Sequence, residues 1–186
     1  MIDPFVARVE EATEFISPVL ARRLLDRRTR IDRPRLGYRE VAASTNRLTL
    51  IAAIIPANVV TTHTIFCMRE PADEDLHSFL CGVFNSFVAN YLVRLRAGTH
   101  VPASVIHQLP VPVPSRLSPA FLAISGLART ATRAEGAHTD AQSELQAVVA
   151  RLYGLDADEF AHVLDTFPLV PASVRAEALA AFHASP

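Results

Sequence analysis

The chain has 186 residues, half of them apolar and a fifth charged, with a formal net charge of −1. That composition supports a packed core and excludes wholesale disorder, and the length suits one domain, or one domain with a small helical appendage. The net charge argues neither for nor against a polyanionic partner, but its distribution is uneven. All 18 basic residues are arginine, nine of them lie within 22–47 against three acids, and from position 117 onward four arginines face eight acids. A basic first quarter and an acidic last third imply two different surfaces. The absence of lysine and the abundance of alanine fit a coding bias, which lowers the weight of any single arginine.

Cys67 and Cys81 are the only cysteines, too few for a disulfide scaffold and without the spacing of a zinc site. A reducing, cytoplasmic setting is expected. The N-terminus lacks a basic-then-apolar signal pattern. The most apolar stretch, 48–60, is too short to span a bilayer and is interrupted by Pro56. No membrane partner is expected.

In chain order, 4–30 reads as helix interrupted at Pro18. A charged connector follows and closes a first segment, 1–34. Three strand signals come next. Residues 35–42 suit an extended edge, 49–55 are apolar on both faces as in a central strand, and 59–68 are rich in Val, Thr, Ile and Phe after a Pro56-Ala57-Asn58 turn. Residues 73–98 read as one long amphipathic helix. Asp73 is its N-cap, Glu74 and Asp75 fill its first turn, Arg94 and Arg96 its last, and Gly98 stands at the left-handed stop. Four prolines in 101–114 predict an extended exit from this second segment, 35–114. The remainder, 115–186, reads as helical. Its start and stop signals are Ser118-Pro119, Thr139 with Gln142, Gly154, and Asp156 with Glu159, and its last helix runs over 172–183. The expected fold is therefore α+β: a small antiparallel β-meander packed on a long amphipathic helix, followed by a C-terminal helical subdomain.

Catalytic signatures are missing. There is no GxGxxG, phosphate-cradling loop, HExxH or GxSxG. His63, His77, His100 and His107 have no ligand spacing, and Ser104 with His107 lacks an acid partner. Helix N-terminal charge accounts for Asp73, Glu74 and Asp75. No catalytic residue and no metal site are assigned.

Tyr38-Arg39-Glu40-Val41-Ala42-Ala43-Ser44-Thr45-Asn46-Arg47, running into Thr49-Leu50-Ile51-Ala52-Ala53-Ile54-Ile55-Pro56, resembles a segment of large single-chain restriction–modification enzymes. So do Phe84-Asn85-Ser86-Phe87, Arg94-Leu95-Arg96, Gly98-Thr99-His100 and Gln108-Leu109-Pro110-Val111-Pro112, followed by Ala150-Arg151-Leu152-Tyr153-Gly154-Leu155 through Phe167-Pro168-Leu169-Val170. Their order and spacing cover roughly 35–182. The resemblance implies the C-terminal target-recognition (specificity) domain of an adenine-N6 DNA methyltransferase or combined type II restriction–modification enzyme. Its partners would be double-stranded DNA and a methyltransferase catalytic domain or subunit. The chain lacks both the cofactor-binding glycine motif and the Asn-Pro-Pro-Tyr motif. S-adenosylmethionine is therefore expected only in a separate methyltransferase domain, and no cofactor in this chain.

A specificity module needs cations for phosphates and planar polar groups for base edges. Arg35, Arg39 and Arg47 are the phosphate candidates. Thr45 and Asn46 sit at a strand-to-strand connection, where Asn46 either reads a base or bonds its own turn. Arg94, Arg96, Thr99 and His100 cluster at a helix end, where the two arginines either meet DNA or complement the helix dipole. The alternative from another class is an assembly subunit whose helical tail docks a protein partner.

Overall fold

The computed structural model describes residues 1–186 apart from positions 11, 13, 26–30, 70, 71, 136, 137, 185 and 186. Arg27, Arg28 and Arg30 of the basic connector thus lie outside the described residues. The class is α+β as expected; among the described residues there are eight helices, a two-stranded sheet and a three-stranded sheet.

The first departure from expectation is at the N-terminus. Ile2–Asp3 (β1) and Val6–Ala7 (β2) pair antiparallel across a turn at Pro4 and Phe5, where Phe5 adopts φ 68°. Proline fixes the first corner, and burial holds phenylalanine in a backbone region it rarely visits. Phe5 is 2% exposed, and its N–H donates to the Ala52 carbonyl at 2.9 Å. The predicted helix over 4–30 is corrected accordingly. Among the described residues of that stretch, helix forms only over Pro18–Leu24 (α1), where Ser17 caps the Leu20 N–H and Pro18 opens the helix. The spacing of Val6 and Val9 suits a helix, but the hairpin lets Ile2 and Phe5 both be buried against the main sheet.

The main sheet contains Arg35–Arg39 (β3), Ala52–Ile55 (β4) and Ile65–Cys67 (β5), antiparallel in the order β4-β3-β5. Strand β3 is therefore central, not an edge, and β4 does not separate it from β5. Gly37 gives a reason: a Cβ there would lie 2.7 Å from Ile55 Cγ1 and 3.3 Å from Ile65 Cγ2. The two isoleucines meet over the glycine, and only a middle strand can bring them together. Of the predicted strand over 59–68, only its last part pairs. Along 50–55 the side chains alternate: Leu50, Ala52 and Ile54 pack toward the helices, while Ile51, Ala53 and Ile55 join Ile2 under the hairpin.

The predicted long helix is two helices, Glu74–Phe84 (α2) and Phe87–Arg94 (α3), bent by 63°. Asp73 caps α2 as expected, accepting from the Leu76 N–H at 2.8 Å. The bend arises at Asn85-Ser86, two residues whose short polar side chains compete with helical backbone bonding. Ser86 caps α3 by accepting from the Ala89 N–H at 3.1 Å. Asn85 turns its amide onto β4, with Oδ1 accepting from the Ala52 N–H at 3.0 Å and Nδ2 donating to the Ala52 carbonyl at 2.8 Å. One turn on, Asn90 Oδ1 accepts from the N–H groups of Thr49 and Leu50, both at 2.9 Å, and its Nδ2 donates to the carbonyl of Leu50 at 3.1 Å. Both asparagines are buried, and each serves 49–52 as a neighbouring strand would.

Beyond α3, the polypeptide returns to the sheet through a Val41–His100 bridge and a Val101 N–H donated to the Glu40 carbonyl at 2.7 Å. The expected extended exit over 101–114 contains a short helix, Ala103–His107 (α4), entered from Pro102. Four helices follow: Pro119–Arg133 (α5), Asp140–Leu152 (α6), Ala157–Asp165 (α7) and Ala172–Ala184 (α8). Ser118 caps α5, and Asp156 with Glu159 forms a full capping box on α7. Thr139 stands at the N-cap of α6, but its side chain makes no capping bond.

Gly154 at φ 77° ends α6 in a Schellman arrangement, with Leu155 N–H donating to Ala150 and Gly154 N–H to Arg151. Gly98 has no positive φ, and α3 closes earlier, at Leu95. Among the described residues, no single helix is long and apolar enough to cross a membrane.

The expected boundary near position 115 is not a break in packing. Phe79 of α2 stacks on Phe121 of α5 at 4.8 Å, and Gly82 lies against Ile124 of α5 and Leu145 of α6. One buried cluster joins the sheet, α2, α5 and α6, while a second joins α3 to α7 and α8 around Phe160 and Phe167.

Replacing Asn90 by alanine orphans two buried amides, so unfolding in urea should show a loss of about 1–3 kcal/mol for each. Exposed Glu144→Ala should stay within about 0.5 kcal/mol. Equal midpoints for Asn90→Ala and wild type would mean that the asparagine bonds contribute nothing net.

His77 on α2 is buried, and its Nε2 has no partner among the described residues. Burial lowers its pKa, against a smaller upward pull from Asp73. The proton thus prefers the unfolded chain, so stability should fall as pH drops below the ordinary imidazole range. His77→Asn should flatten the pH 7-to-5 slope of the unfolding midpoint relative to wild type; an unchanged slope would clear His77 of that role.

Candidate nucleic-acid interface

The sequence candidates separate into two groups by burial. Arg35 is only 5% exposed, and its Nη2 donates to the Val59 carbonyl, so the expected phosphate contact is corrected to an internal one. The connection from β4 to β5 explains this, because its Val59 carbonyl takes the guanidinium. Arg39 is half-buried, with its Nε enclosed and without a partner among the described residues.

Arg94 is also corrected. Its Nε donates to Thr49 Oγ1 at 3.2 Å, Nη1 to the Thr166 carbonyl at 2.9 Å, and Nη2 to the carbonyls of Asn46 and Arg47. The guanidinium lies 4.0 Å over the Phe167 ring. Planar, delocalised and weakly hydrated, it suits burial between an aromatic face and several carbonyls. Its role is a staple between 46–49 and the end of α7, which neither dipole complementarity nor DNA contact describes.

That staple organises the second group. The Ser44 N–H donates to the Gly98 carbonyl at 3.2 Å, and Asn46 N–H closes a turn onto Ala43 at 3.0 Å. Together with the Val41–His100 bridge, these bonds fasten loop 41–48 against loop 95–101. Thr45, Arg47, Arg96, Thr99 and His100 are exposed on the paired loops, and Asn46 is half-buried. Neither loop contains a carboxylate. Arg96 Nη1 reaches back to the Leu92 carbonyl at 3.0 Å, while Thr99 Oγ1 and His100 Nδ1 lie 2.9 Å apart. Two sequence-distant sets of candidates are thus brought together, minus the two arginines that the fold consumes.

Arg47 also lines a cleft of about 480 Å³ with Arg8, His138 and Gln142. Arg8 was hidden within the predicted N-terminal helix, and it pairs with Asp3 across the hairpin at 2.7 Å. His138 Nε2 lies 2.8 Å from Glu177 Oε2 and 3.3 Å from Ser143 Oγ. Serine and carboxylate share one ring nitrogen, whereas a nucleophile–base–acid relay needs them on opposite nitrogens. Among the described residues, no three His, Cys, Asp or Glu side chains form a metal-binding group.

Comparison with known proteins finds no protein-family model, curated protein or solved structure that matches this chain.

Arg94→Lys should cost about 2–4 kcal/mol in urea unfolding, because an ammonium cannot hold four acceptors while stacked on Phe167. Arg96→Ala should stay within about 0.5 kcal/mol. Comparable losses in the two variants would contradict the division between internal and displayed arginines.

Proposed function

We propose that this chain is a DNA target-recognition module of a restriction–modification adenine-N6 methyltransferase, acting with a catalytic domain or subunit that binds S-adenosylmethionine. The observation that supports this most is the fastening of loops 41–48 and 95–101, neither of which contains a carboxylate, into one exposed surface. It displays Arg47 and Arg96 beside Thr45, Thr99 and His100. Cations of this kind neutralise phosphates, while threonine, asparagine and histidine offer hydrogen bonds to base edges or phosphates. The rigid backing matters as much, since contacts held on fixed loops lose less entropy on binding. The sequence resemblance supports the same reading over roughly 35–182.

A second reading, a protein-docking subunit, is favoured by a different segment from the one expected. In the C-terminal tail Ala178 and Phe182 are buried, whereas Phe15, Val19 and Leu24 around α1 are 91%, 67% and 70% exposed. An apolar ridge of this kind suits a protein groove.

Fluorescence anisotropy of the whole chain with a randomised duplex, from low to physiological salt, separates the two. The DNA module should bind with a steep salt slope, and Arg47→Ala and Arg96→Ala should each weaken it by about 1–3 kcal/mol or flatten the slope by about one. Selection from the randomised pool should enrich one motif. Affinity that is absent, or insensitive to both salt and the two substitutions, would remove this function.

A further inference from the structure

Of the residues in α1 only Ala21 is buried. Phe15, Ile16, Val19, Leu20 and Leu24 are all exposed and make the apolar ridge described above. The ridge is also basic at one end. Arg23 lies one turn from Val19 on the same face, with Arg22 beside it, and both are exposed. Glu14 stands at the opposite end.

A second apolar surface lies at the corner where the polypeptide enters α5. Leu117 and Leu122, 85% and 53% exposed, stand just before the Ser118 cap and one turn after it, positions that a helix start brings to one side. The corner is fixed against the first turn of α2. Arg116 bonds Asp73 at 2.8 Å and lies 5.2 Å over the Phe121 ring, while Arg129 bonds Asp75 at 2.5 Å. Those two cations answer the carboxylates on either side of Glu74, which is itself exposed.

Exposed apolar patches of this kind mark contact surfaces. Both are open in a single copy, so neither covers the other. Their charges select the pairing. Ridge against ridge would bring Arg22 and Arg23 of two copies together, and corner against corner would do the same with the carboxylates. Ridge against corner sets the arginines opposite Glu74. We propose that the ridge of one copy seats on the corner of a second copy of this chain. A twofold axis returns the same contact and closes a dimer. These surfaces are not the paired loops, and the test contains no DNA, so its outcome is separate from that of the DNA reading.

Sedimentation velocity of the whole chain should show monomers passing to dimers between about 1 and about 100 μM. Val19→Ser with Leu24→Ser on the ridge, and Leu117→Ser with Leu122→Ser on the corner, should each weaken dimerisation by at least about tenfold. An equimolar mixture of these two double variants should associate about tenfold more tightly than either alone. Only the mixed pair keeps one intact ridge facing one intact corner. Arg23→Glu should also weaken the dimer, and Glu74→Arg in the same chain should restore it. That charge exchange leaves every apolar side chain in place, so a poorly folded serine variant does not spare the idea. A wild-type chain that stays monomeric to about 100 μM would overturn it. So would a mixture no tighter than its components, the mark of ridge meeting ridge, or a Glu74→Arg that fails to restore Arg23→Glu.

Discussion

The fold depends on two carboxamides that stand in for a missing β-strand. Residues 49–52 would leave several main-chain groups buried and unpaired, because their sheet partner β3 takes only one side. Asn85 and Asn90 satisfy the other side from the elbow between α2 and α3. An amide side chain carries one acceptor and two donors in a plane, which is the pattern a strand edge demands. Serine or glutamate at these positions would lack either the reach or the donors. The network continues outward: Gln146 of α6 accepts from the Phe87 N–H at 2.7 Å and donates to the Asn85 carbonyl at 3.3 Å. The elbow therefore bonds to the sheet on one side and to the helical layer on the other.

This accounts for the absence of a packing boundary near 115. Once the elbow is fixed, α2 presents Phe79 and Gly82 to α5 and α6, and α3 presents Phe87 to Phe167 at 5.1 Å. Ion pairs such as Arg116–Asp73 and Arg129–Asp75 close over the same joint, but they are exposed and add little beside the buried contacts. Apolar burial supplies the bulk of the stability, and the amide network selects which arrangement is stable.

Much of this was legible in the sequence wherever the signal was local. Asp73, Ser118 and Asp156 announce helix starts, and Gly154 a stop, because capping chemistry acts within one turn. The two apolar faces of 49–55 also read correctly. What escaped was set at long range. The stripe from Leu76 to Leu95 has helical spacing throughout, so the break at Asn85-Ser86 was visible only as two polar residues in an otherwise buried run. The central place of β3 was concealed because its evidence is a hole, Gly37, filled from two other strands. The candidate surface divided in the same way. Loop polarity pointed to Thr45, Arg47, Arg96, Thr99 and His100, but an arginine's letter does not reveal whether carbonyls from 48 and 72 residues away will surround it, as they do Arg94.

The grip of Arg94 has a consequence for variation. It takes hold of Asn46 and Arg47 by oxygen atoms that every amino acid possesses, not by anything peculiar to asparagine or arginine. The path of that loop is thereby insulated from the chemistry it exhibits. New side chains can be installed at its crest without renegotiating the architecture beneath, much as type is changed in a fixed frame.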